Sequence, residues 1–326
     1  MLTVVLATLG QRHLARTLAA LNAIDAPCQW KLVIAHNGAD QAESVALRSL
    51  VERFARHVPI QYVYEPRRGK NYGCNAAIPH IEGDLAVFTD DDVVPARDWL
   101  VRLYETAATK PDYDIFGGRI VPLWPRPPEP YLLESVPITI VFGISPDDWT
   151  EGPSEPWKMW GGNVAFRTRI FAAGHRFNTS VGPDGTATYV MGSKTEFVER
   201  LAKAGHRCWY VPSAVVQHII REEQFDRDWI LRRAFRYGRF EGRMAALASP
   251  DSFGPHRTLA SCAMLIPAHL CRAAYYWLRR DPRRLRAEFK IRLLYGKARE
   301  AARFMRVPNH VRAAQARKVG ELEKRA

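Results

Sequence analysis

The stretch Gly83–Trp99, GDLAVFTDDDVVPARDW, constrains the fold of this chain more than any other. Leu85 to Phe88 is short, β-prone and apolar at nearly every position, the composition of a strand covered on both faces of a parallel sheet. It runs directly into three carboxylates, Asp90, Asp91 and Asp92. In such sheets ligands bind just outside the carboxyl ends of the strands. Three adjacent like charges repel one another, and a bound cation relieves them; hard oxygen ligands suit Mg²⁺ or Mn²⁺. Side chains alternate along a strand, so Asp90 and Asp92 are expected to point the same way. The plainer alternative is a solvated acidic turn before a helix, with Asp98 as a helix-start signal. The buried strand in front of the triplet weighs against it.

The segments before that strand alternate in period. Leu2–Ala7, Leu32–Ala35 and Ile60–Tyr64 are short apolar strands. Between them lie helical patterns, first through Leu14, Leu18 and Leu21 and then through Val45, Leu47, Leu50, Val51 and Phe54. A small-residue helix from Tyr72 to Ile78 leads into the acidic strand. Strand and helix alternating over short links predict a doubly wound, mostly parallel α/β sheet with right-handed crossovers. Three strand ends are polar or glycine-rich: Thr8-Leu9-Gly10, His36-Asn37-Gly38 and the loop Arg67-Arg68-Gly69-Lys70-Asn71. Asn37-Gly38 alone reads as a plain turn, and Gly69-Lys70 alone as a solvated basic loop. Polar and glycine-rich turns at three strand ends are what a nucleotide pocket at the carboxyl edge requires, and there Gly69-Lys70 is expected to bring a cation and helix amides near a diphosphate.

Farther on, Pro122 to Trp157 is rich in proline and aromatics without a clear period, the mark of a functional or mobile loop. Trp124, Tyr131, Trp149, Trp157 and Trp160 either form platforms for a sugar ring or bury the loop itself. Then follow WGGNVAF (Trp160–Phe166), a helix start at GSKTEF (Gly192–Phe197), and VVQHII, in which His218 sits in an apolar run. Five scattered cysteines with no CxxC fit a reducing compartment and argue against a disulfide framework. MLTVVLATLG reads as a first strand rather than a secretory signal.

The net charge of +13 is uneven. Residues 221–326 hold 25 Lys and Arg against 11 Asp and Glu, whereas residues 1–220 hold 22 against 23. A basic last third points to an anionic partner. Within it, Leu259, Ala263, Ile266, Leu270, Ala274 and Trp277 recur at helical spacing, followed by Arg279, Arg280, Arg283 and Arg284. Such a helix suits an anionic membrane interface, and Pro267, His269 and Arg272 make a full span costly.

The order GKNYGCNAAI, FTDDDVVP, WGGNVAF, GSKTEF, VVQHI resembles family 2 glycosyltransferases of GT-A fold, over about residues 1–240. The resemblance implies a catalytic domain at 1–240; the helical, basic region at 241–326 beyond it reads, from its own pattern, as either membrane-associating or packed on the catalytic domain. The resemblance also implies inverting transfer from a nucleotide-sugar (a UDP- or GDP-sugar) to a hydroxyl of a glycan or lipid-linked acceptor, with Mn²⁺ or Mg²⁺. By the same resemblance, Thr8 and the His36-Asn37 turn meet the base. Asp90 lies near the ribose, Asp91 also faces the nucleotide-sugar, and Lys70 and Asn75 flank the diphosphate. Asp92 binds the metal with His218 as a further ligand. Trp160, Gly162 and Asn163 form the acceptor side, and Arg236 and Arg239 cover the leaving diphosphate.

Two positions depart from the family pattern. His36 stands where the family has an Asp that reads the base, so the nucleotide is not identified. Ser193 and Lys194 stand where the family has acidic residues, leaving Glu196 as the nearest candidate base; its alternative is a pair with Arg200 at i,i+4. A second reading is therefore a nucleotide-sugar-binding protein with impaired catalysis. A nucleic-acid partner is not expected, because the basic tail lacks zinc spacing and aromatic interleaving. The expected location is the cytoplasm, peripheral on the cytoplasmic face of a membrane.

Overall fold

The protein is described from a computed structural model, over residues 1–10, 13–38, 41–55, 58–248 and 253–307. In chain order the first half contains β1 (Leu2–Thr8), α1 (Leu14–Leu21), β2 (Trp30–His36), α2 (Gln41–Phe54), β3 (Ile60–Tyr64), α3 (Lys70–Ala77), β4 (Leu85–Thr89), β5 (Val93–Pro95), α4 (Trp99–Thr109) and β6 (Ile115–Leu123). Then come α5 (Pro130–Ser135), α6 (Ile138–Phe142), β7 (Gly152–Ser154), β8 (Asn163–Arg167), α7 (Arg169–Ala172), α8 (Ser193–Lys203) and β9 (Cys208–Ile219). Three helices close the described chain: α9 (Arg227–Ala248), α10 (Phe253–Leu278) and α11 (Arg284–Met305).

The sheet runs β3-β2-β1-β4-β8-β6-β9-β5, with β7 paired to β9. Its first four strands are parallel, as the alternating sequence predicts. Beyond β4 it is mixed, because β8 enters antiparallel to both β4 and β6. Every residue of β1 and β4 is buried, since helices cover both faces. Leu2, Val4 and Leu6 of β1 join a core with Leu14, Leu18 and Leu21 of α1 and Trp99 and Leu103 of α4. Val5 and Ala7 face the other way, onto Cys74 and Ala77 of α3 and Phe197 and Leu201 of α8.

Several elements differ from the reading of the sequence. The apolar run around His218 belongs to a longer strand, β9, which continues through Pro212 and whose register against β6 shifts between Gly118 and Arg119. The proline-rich stretch after β6 contains α5, α6 and β7. Most of its aromatics pack on the protein: Trp124 on Phe142 and Phe225, and Trp149 on Trp157 and Tyr210. α10 continues unbroken through Pro267. A boundary at 240/241 cuts through α9, which runs on to Ala248 and packs on α11.

Candidate active site

A cleft of about 700 Å³ opens at the carboxyl ends of β1, β2 and β4. Three of its walls come from strand ends: Thr8 from β1, Asn37 and Gly38 after β2, and Asp90, Asp91 and Asp92 after β4. The far wall comes from α8 and from the segment that follows His218. β4 stops at Thr89 because three consecutive carboxylates cannot continue into a covered sheet. Val93 of β5 then pairs antiparallel with His218 of β9, and the Ile219 amide donates to the Asp92 carbonyl at 2.8 Å. This pairing brings together two motifs 126 residues apart.

The three carboxylates fan onto four partners. Lys70 Nζ donates to Asp90 Oδ1 at 2.6 Å, and Lys194 Nζ reaches the same oxygen at 3.3 Å. Burial opposes ionisation of Asp90, but Lys194 and Lys70 outweigh it and hold the carboxyl well below its usual range. Asp90 in turn keeps the Lys70 ammonium charged against its own desolvation. Asp91 accepts from the Thr8 hydroxyl, yet burial and the neighbouring Asp92 push it up to about 6. Asp92 is buried too, but His218 lowers it: His218 Nε2 lies 3.4 Å from Asp92 Oδ2.

His218 bears on metal binding. Its Nδ1 lies 2.6 Å from the Phe142 carbonyl oxygen, which only accepts, so Nδ1 carries a proton. Its Nε2 is then the ring nitrogen turned toward Asp92 and the cleft, the one that would be left to a metal ion. Among the described residues no group of three or more His, Cys, Asp and Glu side chains is arranged to hold a metal ion. Asp92 and His218 are the neighbouring pair in this cleft that would offer ligands to a divalent ion.

Of the residues singled out in the sequence, Thr8, Asn37, Lys70, Asp90, Asp91, Asp92, Trp160, Gly162 and His218 line the cleft. Six do not. His36 lies beneath the Asn37-Gly38 turn, its Nδ1 2.9 Å from the Tyr62 hydroxyl, and a Cβ on Gly38 would meet its ring at 2.6 Å. Asn75 is corrected from a diphosphate ligand to a clamp: it donates to the Phe177 carbonyl at 2.9 Å and accepts from the Phe177 amide at 2.8 Å. Asn163 is corrected from the acceptor side to the core, where it accepts from Trp99 Nε1 and donates to the carbonyls of Arg119 and Ala214. A buried amide needs those partners. Glu196 is corrected from catalytic base to buried ion pair, with Arg200 Nε at 3.2 Å.

Arg236 and Arg239 are likewise not cleft residues: they donate to the carbonyls of Ala187 and Thr188, and Arg239 also pairs with Glu300. The arginine of that row which lines the cleft is Arg233, donating to the Ile140 carbonyl at 2.7 Å and lying over the Trp229 ring. Arg68, Lys194 and Arg221 also line it. Trp229 and Arg233 are spaced i,i+4 and both line the cleft, a shared face that the sequence displays. The sequence does not display which face of the row is turned inward.

The sequence matches the family model described as glycosyl transferase family 2 over residues 4–178, more than half of the chain. The chain belongs to this family, and it is a glycosyltransferase. It is 27% identical over 249 residues to the succinoglycan biosynthesis protein ExoM of Rhizobium meliloti, covering 73% of each chain. It is 25% identical over 203 residues to the glucosyl-dolichyl phosphate glucuronosyltransferase of Haloferax volcanii, covering 62% of this chain and 64% of that one. The mannosyltransferase PcManGT of Pyrobaculum calidifontis, in complex with GDP-Man and Mn²⁺, superposes with a TM-score of 0.59 at 21% identity, covering 92% of this chain and 86% of that one. A fragment of S. aureus TarS with UDP-GlcNAc superposes with a TM-score of 0.50 at 13% identity, covering 91% and 90%. These structural likenesses establish the GT-A fold.

Proposed function

We propose that this glycosyltransferase binds a UDP- or GDP-sugar in the cleft and transfers the sugar, with inversion, to a glycan or lipid-linked acceptor during polysaccharide or glycolipid assembly. The carrying observation is the fan of Asp90, Asp91 and Asp92 at the end of β4, with Lys70 on one side and His218 on the other. Asp92 and His218 are the residues that would hold Mn²⁺ or Mg²⁺. The ion, when bound, neutralises the leaving diphosphate. Thr8 and Asn37 face the nucleoside, Lys70 offers its ammonium to the diphosphate, and Trp160 with Gly162 bounds the sugar. Support for the donor class and the metal comes from PcManGT, which binds GDP-Man with Mn²⁺, and for the biosynthetic setting from the names of the two curated relatives.

The protein also docks on an anionic membrane through α10. Met264 and Leu278 are each 74% exposed and Trp277 is 59% exposed, beside the exposed Arg279, Arg280 and Arg283. Among the described residues no helix is long and apolar enough to cross a membrane. An apolar, arginine-flanked helix of that kind lies in the interface plane.

Thermal shift with UDP and GDP tests the donor reading. One of the two should raise Tm only with Mn²⁺, since ligand at about 100 Kd stabilises by about 2.7 kcal/mol. Asp92→Ala should keep the fold and lose that shift. An undiminished metal-dependent shift in Asp92→Ala sinks the assignment.

A further inference from the structure

A second cavity, of about 820 Å³, lies between α10 and α11, with Arg239 of α9 at its side. Among the described residues it shares no lining residue with the cleft. Leu259 of α10 and Ala302 and Val307 at the end of α11 give it an apolar wall. Arg299, Arg303 and Arg306 also line it, spaced four and three residues, so they project from one side of α11. All three are exposed.

The charge around this cavity is one-sided. Its one lining carboxylate, Glu300, is already held by Arg239 at 2.8 Å and by Arg243 at 2.5 Å. Among the described residues no carboxylate pairs with Arg299, Arg303 or Arg306. Burial, with the charges of Arg239 and Arg303, lowers the pKa of Arg243 although Glu300 raises it, so one carboxylate does not neutralise the cluster. The chain's own continuation has the wrong sign to do so: residues 308–326 hold five Lys and Arg against two Asp and Glu. Guanidinium groups match phosphate oxygens, and an aliphatic wall accepts hydrocarbon. A free phosphate would make no use of the wall, and a neutral lipid none of the arginines.

The position of the cavity on α10 indicates the source of such an amphiphile. Leu259 is five residues before Met264, on the helix whose Met264, Leu265 and Leu270 are exposed. Leu278 ends that helix 19 residues beyond Leu259, about 29 Å along the axis, so one headgroup cannot serve both this cavity and Arg279. We propose that the cavity between α10 and α11 binds one anionic phospholipid, with Arg303 and Arg306 on its phosphate, Arg299 beside them, and an acyl chain against Leu259, Ala302 and Val307. This deepens the membrane reading of α10, which it takes as the source of the lipid. The helix lies in the interface, and the cavity holds a single lipid at the end far from Arg279 and Arg280.

The test uses the full chain and short-chain lipids kept below micelle formation. Isothermal titration compares dihexanoyl phosphatidylglycerol, dihexanoyl phosphatidylcholine and inorganic phosphate. The anionic lipid should bind once per chain, at least about ten-fold tighter than either of the others. Arg303→Glu with Arg306→Glu should weaken it at least about ten-fold without lowering Tm. Ala302→Trp should weaken it too, by filling the wall while leaving the charges in place. Arg279→Glu with Arg280→Glu should leave it unchanged. Phosphatidylcholine binding as tightly as phosphatidylglycerol would make this a plain apolar groove, and inorganic phosphate doing so a plain anion site; either overturns the proposal. Undiminished binding in the Arg303, Arg306 variant also overturns it. Flotation with anionic vesicles but no binding of the short-chain lipid overturns the cavity proposal alone. Saturable binding of that lipid without flotation supports the cavity and overturns the membrane reading of α10 alone.

Discussion

Lys194 and Glu196 are two residues apart on α8, about 200° around the helix, so one faces the cleft and the other the core. Glu196 and Arg200 are each about 2% exposed and meet at 3.2 Å, one turn apart. Such a pair holds its register because either partner alone would be an uncompensated buried charge. Arg200→Met should therefore cost about 3–5 kcal/mol in urea unfolding. Glu196→Met with Arg200→Met should recover most of that loss, since apolar replacement of a whole buried pair is near neutral or better. A cost below about 1 kcal/mol for Arg200→Met would show that the pair is more solvated than its geometry implies. The same reasoning separates Asn37 from Asn163: one amide is left facing the cleft, the other is spent on three buried partners.

At the scale of elements, the crossing of α9 on α11 accounts for the misplaced arginines. A Cβ on Gly238 would meet the Leu293 carbonyl oxygen at 1.9 Å, and one on Gly296 the Phe235 carbonyl oxygen at 2.2 Å. The two backbones approach so closely that Glu300 of α11 is buried within reach of Arg239 and Arg243 of α9. Burial opposes ionisation of Glu300, but Arg243 and Arg239 outweigh it and lower its pKa. A carboxyl depressed in the folded state stabilises above its unfolded pKa of about 4.3, and that contribution is lost as pH falls through the folded value. Glu300→Gln should thus cost about 3 kcal/mol near neutrality, by leaving two arginines short of their counter-ion. The difference from wild type should shrink as pH drops below about 4.3. Parallel stability curves for the two proteins from neutrality into acid would contradict this role for Glu300.

For the whole molecule, the basic last third divides into two parts. α9 and α11 spend some of their arginines on each other and on the cleft, while the end of α10 leaves the exposed Arg279 and Arg280 beside an uncovered apolar surface, with Arg283 paired to Asp281 at 2.6 Å. Each basic residue near an anionic surface contributes about 1 kcal/mol, screened by salt. The full chain should float with vesicles of phosphatidylglycerol and phosphatidylcholine, less at high salt, and not with phosphatidylcholine alone. Trp277→Ser with Leu278→Ser, and separately Arg279→Glu with Arg280→Glu, should each abolish flotation without lowering Tm. Flotation unchanged in both variants would remove the membrane from the account of this protein.

The parallel half of the fold was legible in the sequence because it is written in local period: Leu2–Thr8, Trp30–His36, Ile60–Tyr64 and Leu85–Thr89 fall where the apolar runs lie. The acidic turn was legible for a similar reason, since like charges after a covered strand can sit only at its end. What the sequence could not hold is contact order. That β8 enters antiparallel, that His218 comes beside Asp92 across 126 residues, and that Arg233 rather than Arg236 lines the cleft all depend on how distant segments dock. Motif likeness assigned Asn75, Asn163 and Glu196 by position in the chain, whereas the partner of a buried polar group is set by what lies across the interior. Only the packed molecule determines which side of α8 is core, and hence that Lys194 rather than Glu196 lines the cleft.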